Sequence, residues 1–243
     1  MAENIMDVSI LIPVLNESEI LSETVARWLM TADGLDISYE LLIVDDGSTD
    51  ETPRLLKELE ARHENLRSTR TKGVGQHRAL MHGIKQARGK FILTGDADLF
   101  PSGADIKRAL RACEMGQLAV LRRTKNSTGL RDIASRINNR LVGALRGRAY
   151  RDIGSMQLLF PAPPEDFLPE KDSFYLPLLL EKHFERSEFE ACIEGIKRPS
   201  RYDFKKLLRL MLVELDSMQE LPDNRHPQLL AKIKELGVRV LGH

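Results

Sequence analysis

Two aspartates one residue apart, Asp96 and Asp98, follow the apolar run Phe91, Ile92 and Leu93 in the stretch FILTGDADLF. Carboxylates at i and i+2 of an extended chain point to the same side. So close together they repel, unless a cation lies between them. Hard oxygen donors suit Mg2+ or Mn2+, which take one or two carboxylates and complete their shell with substrate phosphates. Such a cation would also neutralise a diphosphate leaving group. The plainer reading of the same residues is a solvent-exposed capping turn.

A second acidic cluster follows another apolar run, in LLIVDDGSTDETP. Asp45 and Asp46 stand where a strand end can bring a carboxylate to the base or ribose of a nucleotide. Gly47 permits the turn, and Ser48 or Asp50 can cap the next helix. Turn chemistry alone would use the same residue types. Other nucleotide-binding and hydrolytic signatures fail. GVGQHR has two glycines of the dinucleotide fingerprint but Arg78 in place of the third, and it follows no convincing first strand. The chain contains no phosphate-loop motif, no serine elbow and no HExxH. A nucleotidyltransferase would open with a glycine-rich loop after its first strand, and PVLNESE has none.

Elements that could position these clusters are legible in the hydrophobic pattern. Residues 8–14 read as a strand, followed by a helix capped by Asn16 in which Ile20, Leu21, Thr24, Val25, Trp28 and Leu29 recur at helical spacing. The plan repeats: a strand to Val44, then a helix with Pro53 in its first turn. A strand over LRSTR, a helix closed by Gly89, a fourth strand over KFILTGDAD, a helix near 103–115 and a strand over QLAVLRR follow. Alternating strands and helices predict a mostly parallel sheet covered on both faces. Ligands of such sheets bind at the carboxyl ends of the strands. Three strand ends carry polar clusters: Pro13 to Glu17, Asp45 to Ser48, and Asp96 to Asp98.

The second half is less regular. Ile133, Ile137, Leu141 and Leu145 recur every four residues of an amphipathic helix, with Arg136 and Arg140 on a neighbouring face. SFYLPLLLEKHF reads as a helix that Pro177 kinks or starts, FEACIEGI as a strand, and the stretch after Asp203 as a helical tail.

The formal net charge is zero, so no global field announces a nucleic-acid partner. The charges are nevertheless segregated. Residues 1–60 hold fourteen Asp and Glu against three Lys and Arg, whereas 122–151 hold nine Lys and Arg against Asp132 alone. A second basic stretch, residues 197–209, holds six against Asp203. These are either solvated helix faces or surfaces that meet an anion. Cys113 and Cys192 form no metal spacing and are expected as buried free thiols. No leader pattern opens the sequence and no apolar run approaches ~18 residues. The expected location is cytoplasmic, at most peripheral on a membrane surface.

ILIPVLNE, LLIVDDGSTDET, GVGQHRALMHGIKQARG and ILTGDADL stand in the order and spacing of glycosyltransferase family 2, which residues 8–101 resemble specifically. GDADL looks particularly like the branch that acts on polyprenyl phosphates, the dolichol-phosphate mannose synthases and their relatives. The second half is similar to that branch in Ser135, Arg136, Asp152 and Ser155, while Met156, Gln157 and Leu158 replace its Gly-Phe-Arg. Arg201 with Lys205 or Lys206 resembles its late basic element, and Lys72 stands where the family often has Asn.

The resemblance implies a GT-A fold over 1–202, with a donor half to about 101, an acceptor half beyond it and the tail 203–243. It implies inverting transfer from a UDP- or GDP-sugar. Asp45 or Asp46 would hold the nucleoside, Pro13, Glu17 and Lys72 would line its pocket, and Asp96 and Asp98 would hold Mg2+ or Mn2+. A phosphate acceptor has its second pKa near ~6 and is already a nucleophile. It needs positioning by guanidinium groups, for which Arg122, Arg136 and Arg201 are the candidates. A hydroxyl acceptor would instead need a base, and Asp172 is the candidate. A non-catalytic member of the family is the remaining alternative, which the intact aspartates argue against.

Overall fold

The computed structural model describes residues 6–123, 130–164, 167, 175–196, 228 and 231, with only the backbone of 130–134. Asp172, Arg201, Lys205, Lys206 and, apart from Gln228 and Ala231, the expected tail lie outside the described residues. The described chain divides into two compact units. One gathers 6–123, 155–164, 167 and 184–196; the other gathers 130–154 and 175–183.

The first unit is built on a seven-stranded sheet. Its strands are β1 (Met6–Val14), β2 (Tyr39–Asp45), β3 (Leu66–Arg70), β4 (Gly89–Thr94), β6 (Gln117–Arg123), β7 (Leu158–Pro161) and β8 (Glu185–Ala191), in the order β3-β2-β1-β4-β7-β6-β8. Only β7 runs against its neighbours, so the sheet is mostly parallel as expected. A separate two-stranded ribbon pairs β5 (Leu99–Pro101) with β9 (Ile193–Gly195). The expected strand over FEACIEGI is therefore two strands, belonging to different sheets.

Alternation along β1 builds both faces. Ile10, Ile12 and Val14 face a core shared with Leu21, Val25 and Trp28 of α1 (Leu21–Asp33), Leu56 of α2 (Thr52–Glu60) and Ile106 of α4 (Gly103–Glu114). Leu11 and Val44 face the other side, where Gly83 of α3 (Gln76–Ile84) lies against them. The whole of β2 is buried, including Glu40 at 1% exposure. That carboxylate accepts from Ser9 Oγ at 2.6 Å, Arg67 Nη1 at 2.6 Å and the Arg88 amide at 2.7 Å. Satisfied in this way, a charge can stay inside. It ties β1, β2 and β3 together at the edge opposite the acidic strand ends.

Local expectations changed where a tertiary partner intervened. Asn16 does not cap α1; it takes a left-handed conformation (φ 54°), and α1 begins at Leu21 without a side-chain cap. Gly89 does not close α3 but opens β4. Cys113 is buried as expected, whereas Cys192 is exposed.

In the second unit, α5 (Leu130–Arg146) packs Val142 and Leu145 with Tyr150, Ile153, Tyr175 and Leu178. Ile137 is not on that face: it is 61% exposed. The inward positions include Asn139, which donates to Arg151 O at 2.7 Å and accepts from the Ile153 amide at 3.1 Å, and Arg146, which pairs with buried Glu181. Pro177 sits in the first turn of α6 (Leu176–Leu180) and so marks its start.

Candidate active site

Parallel register sets the ends of β1, β2 and β3 side by side, with Val14 opposite Asp45 and Asp45 opposite Arg70. The turns beyond them are stitched together by side chains. Asn16 Oδ1 accepts from the Thr49 amide at 2.8 Å, and the Asn16 amide donates to Ser48 Oγ at 2.9 Å. The Glu17 amide donates to Thr52 Oγ1 at 3.0 Å, and the Ser18 amide to Asp50 Oδ2 at 3.1 Å. Burial raises the Asp50 carboxyl, but the hydrogen bonds from Ser18 and Thr52 outweigh it and hold the group below the usual carboxylate range. Glu17 is buried and Pro13 half-buried at this edge.

Asp45 and Asp46 have different jobs. Asp46 accepts from Thr71 Oγ1 and from the amides of Val74 and Gly75, both at 2.8 Å, so its carboxylate organises the 71–75 turn that carries exposed Lys72. Gly47, at φ 84°, lets this turn come close: a Cβ there would lie 2.8 Å from the Gly73 amide nitrogen. Asp45 Oδ1 accepts from the Ser48 amide at 2.8 Å. Its Oδ2 is buried and lies 3.0 Å from Arg70 Nη1, an ion pair without an aligned hydrogen bond. Asp45 therefore keeps an unanswered acceptor beside a guanidinium.

The Asp96–Asp98 turn is held by its backbone. The Gly95 amide donates to Leu11 O at 3.0 Å, and Thr24 Oγ1 to Ala97 O at 2.6 Å. Trp28 Nε1 reaches Asp96 O at 3.4 Å, and the Ile196 amide donates to Asp98 O at 2.9 Å. Helix α1 and the segment after β9 thus anchor the carbonyls and aim two half-buried carboxylates. Among the described residues no three acidic, His or Cys side chains gather. Two hard oxygen donors with no third suit a cation that takes the rest of its shell from phosphate and water, which fits Mg2+ or Mn2+.

Because β7 is antiparallel to β4 and β6, its start meets their ends at this edge. The Leu121 amide donates to Gln157 O at 2.9 Å, and Gln157 Nε2 lies 3.5 Å from Asp96 Oδ2. Arg122, at the end of β6, donates to Glu190 on β8 and keeps its Nε buried and unanswered. Arg136 is exposed on α5 of the second unit. The edge of the first unit thus brings together Pro13, Glu17, Asp45, Asp46, Asp96 and Asp98. Arg70, Thr24, Trp28 and Gln157 join them, none of which was expected at the site. Arg70 had a signal, a cation ending the strand next to Asp45; Gln157 had one too, a polar residue leading an apolar strand.

His77, half-buried in the first turn of α3, has its imidazole pushed down to about 4 by burial and is neutral near pH 7.

Residues 9–164 match Glycosyl transferase family 2. The chain is 32% identical over 218 residues to the undecaprenyl-phosphate 4-deoxy-4-formamido-L-arabinose transferase of Proteus mirabilis (strain HI4320), covering 86% of this chain and 67% of the relative. The Shewanella sediminis (strain HAW-EB3) protein of the same name is 31% identical over 229 residues, covering 90% and 69%. The chain thus spans about two thirds of the length of these relatives. Among solved structures, glucosyl-3-phosphoglycerate synthase from Mycobacterium tuberculosis, bound to Mn2+, UDP and phosphoglyceric acid, superposes with a TM-score of 0.62 at 18% identity, over 90% of this chain and 80% of that one. S. aureus TarS 1-349 in complex with UDP-GlcNAc gives 0.54 at 18% identity, over 97% and 73%. The α/β architecture is that of GT-A glycosyltransferases, and with the match over 9–164 the chain belongs to glycosyl transferase family 2.

Proposed function

We propose that this enzyme transfers a sugar, with inversion, from a nucleotide-sugar to a polyprenyl phosphate, using Mg2+ or Mn2+ held by Asp96 and Asp98. The observation that carries the reading is the Asp96–Asp98 turn, braced through its carbonyls at the same sheet edge as Asp45 and Arg70. The acceptor class follows the relatives, which are named undecaprenyl-phosphate transferases.

Each residue then has a task. Asp45, with Oδ2 unanswered, accepts an N–H of the base, while Asp46 keeps the 71–75 turn and Lys72 at the pocket edge. Pro13 and Glu17 line the pocket. When bound, the cation supplies charge neutralisation at the departing diphosphate. Asp96 and Asp98 would hold that charge at a fixed place, so that little reorganisation would be needed there. The acceptor phosphate, with its second pKa near ~6, is largely dianionic at pH 7 and needs orientation rather than a base. Arg122, Arg136 and Arg201 are each proposed as phosphate-binding residues, and the Arg122 Nε–H is a buried donor that a phosphate oxygen would satisfy. The acceptor is a membrane lipid, and no described helix is long and apolar enough to cross a membrane. It would be met at the bilayer surface.

The test is nucleotide release from a panel of UDP- and GDP-sugars, UDP-4-deoxy-4-formamido-L-arabinose included, with and without a polyprenyl phosphate and with Mg2+ or Mn2+. Metal-dependent release only with the lipid phosphate, lost in Asp98→Ala and Arg136→Ala, is the expected result. Donor binding with no response to any lipid phosphate would overturn it and turn attention to hydroxyl acceptors and Asp172.

A further inference from the structure

Gln157 is a puzzle in the first unit. It stands just before β7, between the ends of β4 and β6, and is only 2% exposed. Its backbone is held on both sides: its carbonyl accepts from the Leu121 amide at 2.9 Å and its amide donates to Ser155 Oγ at 3.3 Å. Its side-chain nitrogen lies 3.5 Å from Asp96 Oδ2 and 3.4 Å from Leu99 O. Its side-chain oxygen is buried and has no hydrogen-bond partner.

The orientation of this amide follows from its neighbours. Turned over, Oε1 would face a carboxylate oxygen and a carbonyl, three acceptors with no proton among them. With Nε2 toward Asp96, the orphan is necessarily the acceptor Oε1. A buried acceptor left unanswered gives up its hydration with nothing in return, and an apolar side chain of the same length would avoid that cost. A residue kept only for packing has no reason to be glutamine here. One that meets an incoming donor does.

We infer that Gln157 is a positioning residue for the metal. Its Nε2 orients the Asp96 carboxylate from behind, and its Oε1 accepts a hydrogen bond from a water that the cation carries. Mg2+ and Mn2+ bound through two carboxylates and a diphosphate retain waters, and a metal-bound water is a strong donor. The two contacts at 3.4 and 3.5 Å lie at the outer limit for hydrogen bonds, which leaves the amide capacity to tighten on ligand binding. Outer partners of this kind typically change metal affinity by ~10–100-fold.

This inference rests on the proposed metal at Asp96 and Asp98, and the experiment separates the two. Mn2+ affinity is measured on the full chain with saturating UDP, by the electron paramagnetic resonance signal of free Mn2+, for wild type, Gln157→Met, Gln157→Leu and Asp98→Ala. Melting temperatures are taken without metal. The expected result is a ten- to hundredfold loss of affinity in Gln157→Met, with a melting temperature equal to wild type or higher. Gln157→Leu keeps the test open should the Met variant fold poorly. Wild-type affinity in a folded Gln157 variant, with binding lost in Asp98→Ala, would overturn the role of Gln157 and leave the metal site standing. Loss of affinity accompanied by a fall in melting temperature in both Gln157 variants would make the residue structural and also overturn it. Wild-type affinity in Asp98→Ala would remove the metal site and this inference together.

Discussion

Gly95→Ala puts the bracing of the Asp96–Asp98 turn under direct strain. A Cβ at Gly95 would lie 2.5 Å from Trp28 Cζ2, 2.9 Å from Cη2 and 3.0 Å from Ile12 Cδ1. Trp28 is 0% exposed and packs against Phe100 in a tilted arrangement, ring centroids 5.7 Å apart and planes at 58°, so the indole has nowhere to go. Restoring ordinary contact at ~3.5 Å takes a shift of about 1 Å, and the backbone must supply much of it. Overpacking of this kind costs about 1–3 kcal/mol. For a chain of this size that lowers the melting temperature by about 2–12 °C. The functional cost should be larger, because Asp96 is the next residue. Misplacing a catalytic group by ~1 Å is worth on the order of 100-fold in rate. Thermal melting, Mn2+ affinity and turnover are measured for Gly95→Ala, Trp28→Phe and the double variant. Trp28→Phe removes the two clashing ring atoms at a cost of its own of about 2 kcal/mol. On that background Gly95→Ala should be cheaper by more than ~0.5 kcal/mol, the limit of simple additivity. Strictly additive stabilities, or a Gly95→Ala enzyme with unchanged melting and metal affinity, would refute the reasoning.

Gly47→Ala should destabilise the protein by about 2 kcal/mol in urea unfolding, since φ 84° costs an L-residue strain and the added Cβ meets the Gly73 amide nitrogen. Asp45 and Asp46 should separate in paired assays: Asp46→Ala lowers the melting temperature because three donors lose their acceptor, whereas Asp45→Asn weakens UDP binding in calorimetry with a smaller effect on melting. The His77 imidazole is pushed down by burial to about 4 in the folded protein, below the ordinary 6.5 of the unfolded chain. Between these values the unfolded chain binds the extra proton, so stability is complete above pH 6.5 and falls as pH drops toward 4. His77→Gln should flatten that part of the stability–pH curve, as read by chemical unfolding at a series of pH values.

The acidic strand ends were legible because their signal is local: an apolar run, a glycine and carboxylates within a few residues, at Asp45–Ser48 and at Gly95–Asp98. The helix and strand near 103–123 were legible for the same reason. What escaped depends on partners far along the chain. Asn16 looks like a cap from its neighbours, but its side chain serves Thr49 on the next loop. The stripe through Ile137 looks like a buried face, yet α5 turns Asn139 and Arg146 inward because Ile153, Arg151 and Glu181 answer them. Glu40 sits inside a parallel strand only because Ser9, Arg67 and the Arg88 amide converge on it. Asp45 and Asp46 are neighbours of one type, and their roles diverge through residues 70–75, which sequence pattern does not place beside them.

Trp28 is the sole tryptophan of the chain. Its buried ring lies against Gly95, and its N–H points to the Asp96 carbonyl. The residue that aims the carboxylates is therefore also the molecule's one strong fluorophore, placed within a side chain's length of them. Mn2+ arriving at that turn would quench its emission through paramagnetism, while Mg2+ at the same place would not. The difference between the two titrations gives site occupancy without a label, a coupled enzyme or any knowledge of the sugar.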